Sequence, residues 1–138
     1  MKGQLKIGKD ASRGCDITSV TIPNSVTVIC NGAFSFCYNL TNIAIPNSVI
    51  TIEEMAFIYC SGLASITIPA SITTIGTRAF DYCTALKTVY NNSSLNITKG
   101  ATSNGNVAYY ANVVINKNDG IIEDFVFRCA LCAIRATI

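Results

Sequence analysis

Ile17-Thr18-Ser19-Val20-Thr21-Ile22-Pro23-Asn24-Ser25-Val26 returns further along the chain as Leu40-Thr41-Asn42-Ile43-Ala44-Ile45-Pro46-Asn47-Ser48-Val49. It returns again, at the same interval, as Leu63-Ala64-Ser65-Ile66-Thr67-Ile68-Pro69-Ala70-Ser71-Ile72. Each unit closes on an Ala-Phe pair with a Cys three positions on: Ala33-Phe34 with Cys37, Ala56-Phe57 with Cys60, Ala79-Phe80 with Cys83. The period, read from Ile17, Leu40 and Leu63, is 23. A period of this length marks a solenoid, in which a unit too small to fold alone buries its apolar face against its neighbours. The copies occupy 17–39, 40–62 and 63–85, with a partial copy over 86–90.

Within a copy, Val20 and Ile22 are spaced by two and flanked by Thr and Ser, which predicts a strand with one buried face. Pro23, Pro46 and Pro69 follow at once and end each strand, because proline donates nothing to a ladder. A second apolar pair comes next, Val26 with Ile29, Val49 with Ile52, and Ile72 with Ile75. The Ala-Phe-x-x-Cys segment has helical or 3₁₀ spacing, with Phe and Cys expected to face inward. One coil therefore reads as strand, turn, short extended segment, one helical turn and return. Stacked coils align their strands as a parallel sheet.

The ends depart from the repeat. Ile7-Gly8-Lys9-Asp10-Ala11-Ser12-Arg13-Gly14-Cys15 aligns with the stretch from Ile75 to Cys83, with Ser12 in the place of the Phe and one position missing before Ile17. The segment 1–16 thus reads as a degenerate half-repeat, as terminal repeats commonly are. Leu86, Val89 and Tyr90 begin a fourth strand, where Asn91 and Asn92 replace the Ile and Pro. The segment 91–138 reads as an irregular connection and a C-terminal cap. Within it, 107–116 is expected to be a strand, Asn118-Asp119-Gly120 a turn, and 121–127 a strand returning as a hairpin. The final stretch, 128–138, is apolar but fits no repeat.

Of 138 residues, 50% are hydrophobic and 13% charged, for a net charge of +2. No uncharged apolar run reaches the roughly 18 residues of a spanning helix, so membrane insertion is not expected. The segment 1–16 carries six charges and no apolar core of a signal peptide. Between Ile17 and Thr77 the only charges are Glu53 and Glu54, which argues against a nucleic-acid partner.

Histidine is absent, which removes Ser-His-Asp and Cys-His catalysis and imidazole metal ligation. Glu53 and Glu54 are adjacent and do not converge on one cleft as a carboxylate pair must. Cys37, Cys60 and Cys83, with Cys15 as the relic of the series, share one repeat position and are expected to be buried thiols. Rungs of a ladder stand ~4.8 Å apart, whereas disulfide Cβ atoms prefer ~3.8 Å, so pairing between coils is disfavoured. Cys129-Ala130-Leu131-Cys132 has the spacing of a redox or metal half-site but lacks a thioredoxin-like unit or a second ligand pair. No catalytic residue, cofactor or metal is expected.

The strand positions that face away from the core are Ser19 and Thr21, Asn42 and Ala44, Ser65 and Thr67, Thr88 and Tyr90. They form a neutral, hydroxyl-rich surface, and the exposed sheet of a solenoid often supplies its binding surface. The same composition also describes a solvated β face. Phe36, Tyr59 and Tyr82, just before each repeat Cys, either offer an exposed aromatic row or cover the seams between coils.

The Leu-Thr-x-Ile-x-Ile-Pro-x-Ser-Val segment, followed by Ile-x-x-x-Ala-Phe-x-x-Cys, resembles the BspA-like subgroup of leucine-rich repeats over about Ile7 to Tyr90. Lys99-Gly100-Ala101-Thr102-Ser103, on through 107–111, also resembles non-repeat segments beside such arrays in gut Bacteroides surface proteins. The resemblance implies an α/β solenoid, a right-handed leucine-rich-repeat superhelix with a parallel β-sheet and a C-terminal β-hairpin cap. It further implies an extracellular or cell-surface location in a bacterial or protist protein, and a non-enzymatic interaction or adhesion role with an extracellular protein or glycan. A structural spacer is the alternative. Self-association through one solenoid end or the apolar tail is also expected, because the half-decayed first coil covers Ile17, Val20 and Ile22 poorly.

Overall fold

The computed structural model describes residues 4–117. Each full coil contributes two short strands, and all strand pairing among the described residues is parallel. One sheet stacks β1 (Leu5–Ile7), β3 (Val26–Ile29), β5 (Thr51–Ile52) and β7 (Thr74–Ile75) in that order. The other face is built from β2 (Ser19–Thr21) beside β4 (Asn42–Ala44), then β6 (Ser65–Ile68), β8 (Thr88–Asn91) and β9 (Val113–Asn116). β4 and β6 stand side by side, so the second face runs from coil to coil. The turn between the two strands of a coil opens at its proline: Val26, Val49 and Ile72 N–H donate to the carbonyls of Pro23, Pro46 and Pro69 at 3.0–3.1 Å.

Register follows the period. Val20 faces Ile43, Ile66 faces Val89, and Ile52 faces Ile75, each pair one full repeat apart. Like residues therefore stack, and the core is a set of ladders. Leu40, Leu63 and Leu86 form one, and Phe34, Phe57 and Phe80 another, all at most 2% exposed. The three rings stack with centroids 5.3 and 5.0 Å apart and planes within 14°. A fully buried side chain of this kind stabilises by ~1.5–3 kcal/mol, so identical rungs add up coil by coil.

The α/β expectation is overturned. Among the described residues there is no α-helix, only a short 3₁₀ turn at Asn104–Asn106, and the fold is a parallel β-solenoid rather than an α/β horseshoe. The Ala-Phe-x-x-Cys segment shows why. Ala33, Ser35 and Cys37 donate three positions back, to Cys30, Gly32 and Phe34, while the alternating Gly32, Phe34 and Phe36 donate to Glu54, Ala56 and Ile58 of the next coil. Left-handed residues interrupt the segment, Gly32 at φ 65° and Phe36 at φ 60°, then Met55 and Tyr59, then Arg78 and Tyr82. A helix keeps every N–H within itself and cannot include these residues. Left-handed backbone at a bulky residue is uncommon. Here it is offset by the coil-to-coil bonds that only this geometry allows.

The half-repeat is a true rung. β1 pairs with β3, placing Ile7 against Ile29, one position short of a full period. Asp10, Ser12 and Gly14 N–H donate to Asn31, Ala33 and Ser35 carbonyls of the first full coil. At the other end, the strand expected over 107–116 is confined to Val113–Asn116 and pairs in parallel with β8. The expected returning strand at 121–127 and the pair Cys129 and Cys132 lie outside the described residues. Thr88 faces Val113, so this coil is two positions longer than the full coils before it. Its turn packs closely: a Cβ at Gly105 would stand 2.5 Å from the Gly76 carbonyl oxygen and 2.8 Å from Ala79 Cβ, and its φ is +64°.

Candidate functional site

Alternation along β2, β4, β6 and β8 turns Val20, Ile43, Ile66 and Val89 inward and leaves the flanking residues outside. Ser19, Thr21, Asn42, Ala44, Ser65 and Thr67 are exposed, Thr88 is half-buried and Tyr90 is 41% exposed. Register assembles them into two rows. Ser19 faces Asn42 and Thr21 faces Ala44, while Ser65, Thr88 and Val113 form a line beside Thr67, Tyr90 and Ile115. The rows carry no ionised side chain, and Lys87 and Lys117 flank their C-terminal end. Lys87 lies over the Tyr110 ring, 5.9 Å from its centroid.

A shallow groove of about 400 Å³ opens at the end of these rows, lined by Asn47, Thr67, Pro69, Ala70, Asn92 and Lys117 among others. Ala70 helps to open it, standing where the earlier coils carry Asn24 and Asn47. Beneath it, Asn91 continues the ladder of Ile22, Ile45 and Ile68 as a buried amide. Its Nδ2 donates to the Leu95 carbonyl at 2.8 Å and to Asn116 Oδ1 at 2.7 Å, and its Oδ1 accepts from Ser93 Oγ at 2.6 Å. The break in the repeat at Asn91 is therefore a satisfied polar rung. The signal for it was present: asparagine recurs at Asn116, the facing position of the next, longer coil.

The aromatic row stacks ring on ring. Phe36 and Tyr59 centroids are 5.0 Å apart at 13°, and Tyr59 and Tyr82 are 4.4 Å apart at 3°. Tyr59 is covered on both faces and Arg13 lies over Phe36, while Tyr82 at the end of the row stays 41% exposed. Desolvation, with Tyr82 beside it, raises the Tyr59 pKa.

Cys37, Cys60 and Cys83 are fully buried and unpaired. Their thiols donate to the carbonyls of Ser12, Phe34 and Phe57 at 3.0, 3.1 and 3.2 Å, each in the preceding coil. Burial pushes all three pKa values up, that of Cys83 to about 12. Such thiols are structural rather than nucleophilic. Cys30 sits half-buried beside Glu53, and Cys15 is exposed. Among the described residues no group of His, Cys, Asp or Glu is arranged to hold a metal ion, and no helix is long and apolar enough to cross a membrane.

The model of the BspA-type leucine-rich repeat region matches residues 5–132 in six copies. The chain belongs to this family. It is 39% identical to a leucine-rich repeat protein of Bacteroides capillosus, with a TM-score of 0.59, over 64% of this chain and 63% of that one. It is 44% identical to a leucine-rich cell surface protein of Faecalibacterium prausnitzii, with a TM-score of 0.57, over 62% of this chain and 22% of that one. A leucine-rich repeat protein of Eubacterium ventriosum is 28% identical over 75% of this chain and 27% of its own, with a TM-score of 0.59. The chain thus spans under two thirds of the first relative and about a quarter of the other two. No curated protein matches it. It is a BspA-type repeat solenoid, and the Faecalibacterium prausnitzii protein that it resembles is a cell-surface protein.

Proposed function

We propose that this BspA-type solenoid is a binding module that engages an extracellular protein or glycan through the outward rows of β2, β4, β6 and β8. The observation that supports this reading is the register. Ser19, Thr21, Asn42, Ala44, Ser65, Thr67, Thr88 and Tyr90 stand in fixed rows on a surface without ionised groups, ending at an exposed tyrosine. Such a surface supplies hydroxyl and amide hydrogen bonds at a set spacing and needs little desolvation of charge. Tyrosine adds the rigid, amphipathic contact area that interfaces favour.

The small size of these side chains favours the other reading, a spacer with a merely solvated face. Single changes separate the two: Thr21→Lys, Asn42→Lys, Thr67→Lys and Tyr90→Ala, each assayed on immobilised extracellular-matrix proteins and glycans. A module loses binding at two or more of the four positions with its melting temperature unchanged. A spacer shows no saturable binding that any of them alters. Among the described residues β2 has β4 on one side and no strand on the other, and we assign self-association to that edge. Light scattering showing a sharp monomer at high concentration removes this assignment.

A further inference from the structure

The turn side of the first full coil breaks the repeat at two neighbouring places. The row that holds Met55 and Arg78 in later coils holds Gly32 here, and the row of Ile58 and Asp81 holds Ser35. Both changes are to a smaller side chain. They leave a cleft of about 330 Å³ between the half-repeat and the second coil, walled by Lys9, Asp10, Arg13, Asn31, Met55 and Ile58.

The floor of this cleft carries an unmet hydrogen bond. Ser35 is 2% exposed, and its Oγ has no partner among the described residues. An orphan hydroxyl of this kind costs about 1–3 kcal/mol, which isoleucine at the same place in the next coil avoids. The Asp10 carboxylate projects into the space that a side chain at Gly32 would fill, and Ser35 Oγ stands 3.5 Å from the same point. Arg13 lies over the Phe36 ring at 5.1 Å and reaches Asp10 at only 3.8 Å, with 57% of its side chain exposed. An exposed pair this long is worth no more than ~1 kcal/mol. It parts readily, which frees both side chains for an entering group.

Lys9 and Arg13 against Asp10 make the cleft net cationic by one charge. It offers two cations to a carboxylate. It also offers a carboxylate, an amide and an unmet hydroxyl to vicinal OH groups, and the carbon surface of Met55 and Ile58 to a ring face. A simple anion uses only the first of these, and an apolar ligand only the last. The geometry points to a binding site for a single sugar ring that bears a carboxylate, of the uronic or sialic acid class. The site lies on the turn side of the coil, away from the outward rows, and does not depend on the function proposed for them.

The test is a titration of the full ¹⁵N-labelled chain with glucuronate and N-acetylneuraminate, with glucose and sulfate as controls, followed by amide shifts. At least one acid sugar shifts the amides of Asp10, Arg13, Gly32 and Ser35 saturably, and glucose and sulfate bind at least about tenfold more weakly, the factor that one charge-assisted contact supplies. Arg13→Ala and Ser35→Ile each weaken the acid sugar by about tenfold or more. Ser35→Ile, which copies the residue of the next coil, also keeps or raises the melting temperature. If Ser35→Ile does not fold, Arg13→Ala, on an exposed side chain, decides alone. The inference is overturned if neither acid sugar gives saturable shifts at these residues. It is equally overturned if sulfate or glucose binds as well as the acid sugars, or if the folded variants bind like the parent.

Discussion

Replacing Phe57 by alanine removes the middle ring of a three-ring stack. Phe57 is fully buried, with Phe34 at 5.3 Å on one side and Phe80 at 5.0 Å on the other. Emptying such a site costs ~3–5 kcal/mol in transfer and cavity terms. Each stacked neighbour adds ~0.5–1.5 kcal/mol beyond area burial. Phe57 loses two such contacts. Phe34 loses one, because Ser12 occupies its outer side, and Phe80 loses one, because the next coil brings the Gly105 turn there. Phe57→Ala is therefore expected at the upper end of that range, and Phe34→Ala and Phe80→Ala about 0.5–1.5 kcal/mol below it. A domain of this size holds only ~5–15 kcal/mol in total, so urea midpoints are best compared at low temperature, with m checked for constancy. A loss below ~1 kcal/mol at Phe57, or equal losses at all three positions, refutes the ladder.

The buried thiols make stability depend on alkaline pH. Cys60 and Cys83 ionise above the ordinary 9.0 in the fold because burial disfavours the thiolate. Their contribution is complete below that value and is lost as pH rises toward the folded value of about 12 for Cys83, by up to ~1.4 kcal/mol per pH unit and thiol. The urea midpoint falls with pH in that window, and Cys83→Ala flattens the fall; parallel curves contradict this. Without denaturant, Cys15 reacts quickly with a thiol reagent while Cys37, Cys60 and Cys83 react only through unfolding. Rapid labelling of those three contradicts their burial. Asn91→Leu restores the apolar residue of the repeat yet destabilises by ~1–3 kcal/mol, because the bonds to Leu95, Asn116 and Ser93 go with it. A gain in stability, read from the same urea titration, shows the polar rung to be dispensable.

The period carried the strand positions, the parallel register and the identity of the inward ladders, because a residue that recurs once per coil must stack on itself. The placement of the outward rows was legible for the same reason: side chains alternate along a strand. The Ala-Phe-x-x-Cys turn was not legible. Its spacing of three suits a helical turn as well as a run of turns, and the left-handed backbone falls on Phe36, Tyr59 and Tyr82, residues that do not announce it. The coil after β8 was obscured because it is longer than the period and exchanges an isoleucine ladder for asparagines. The Gly32 and Ser35 departures were visible as letters. Only the fold puts the Ser35 hydroxyl beside Asp10 and Arg13.

The central claim is that the outward residues of β2, β4, β6 and β8 stand in stacked rows, rung upon rung. Spin labels at Thr21→Cys and Tyr90→Cys, with Cys15, Cys30, Cys129 and Cys132 replaced by serine, measure it directly by pulsed electron–electron distance. Three rung spacings of ~4.8 Å place the two labels on the order of 15 Å apart in a narrow distribution. A broad distribution, or one centred beyond roughly twice that distance, contradicts the stack and with it the surface on which the proposed binding depends.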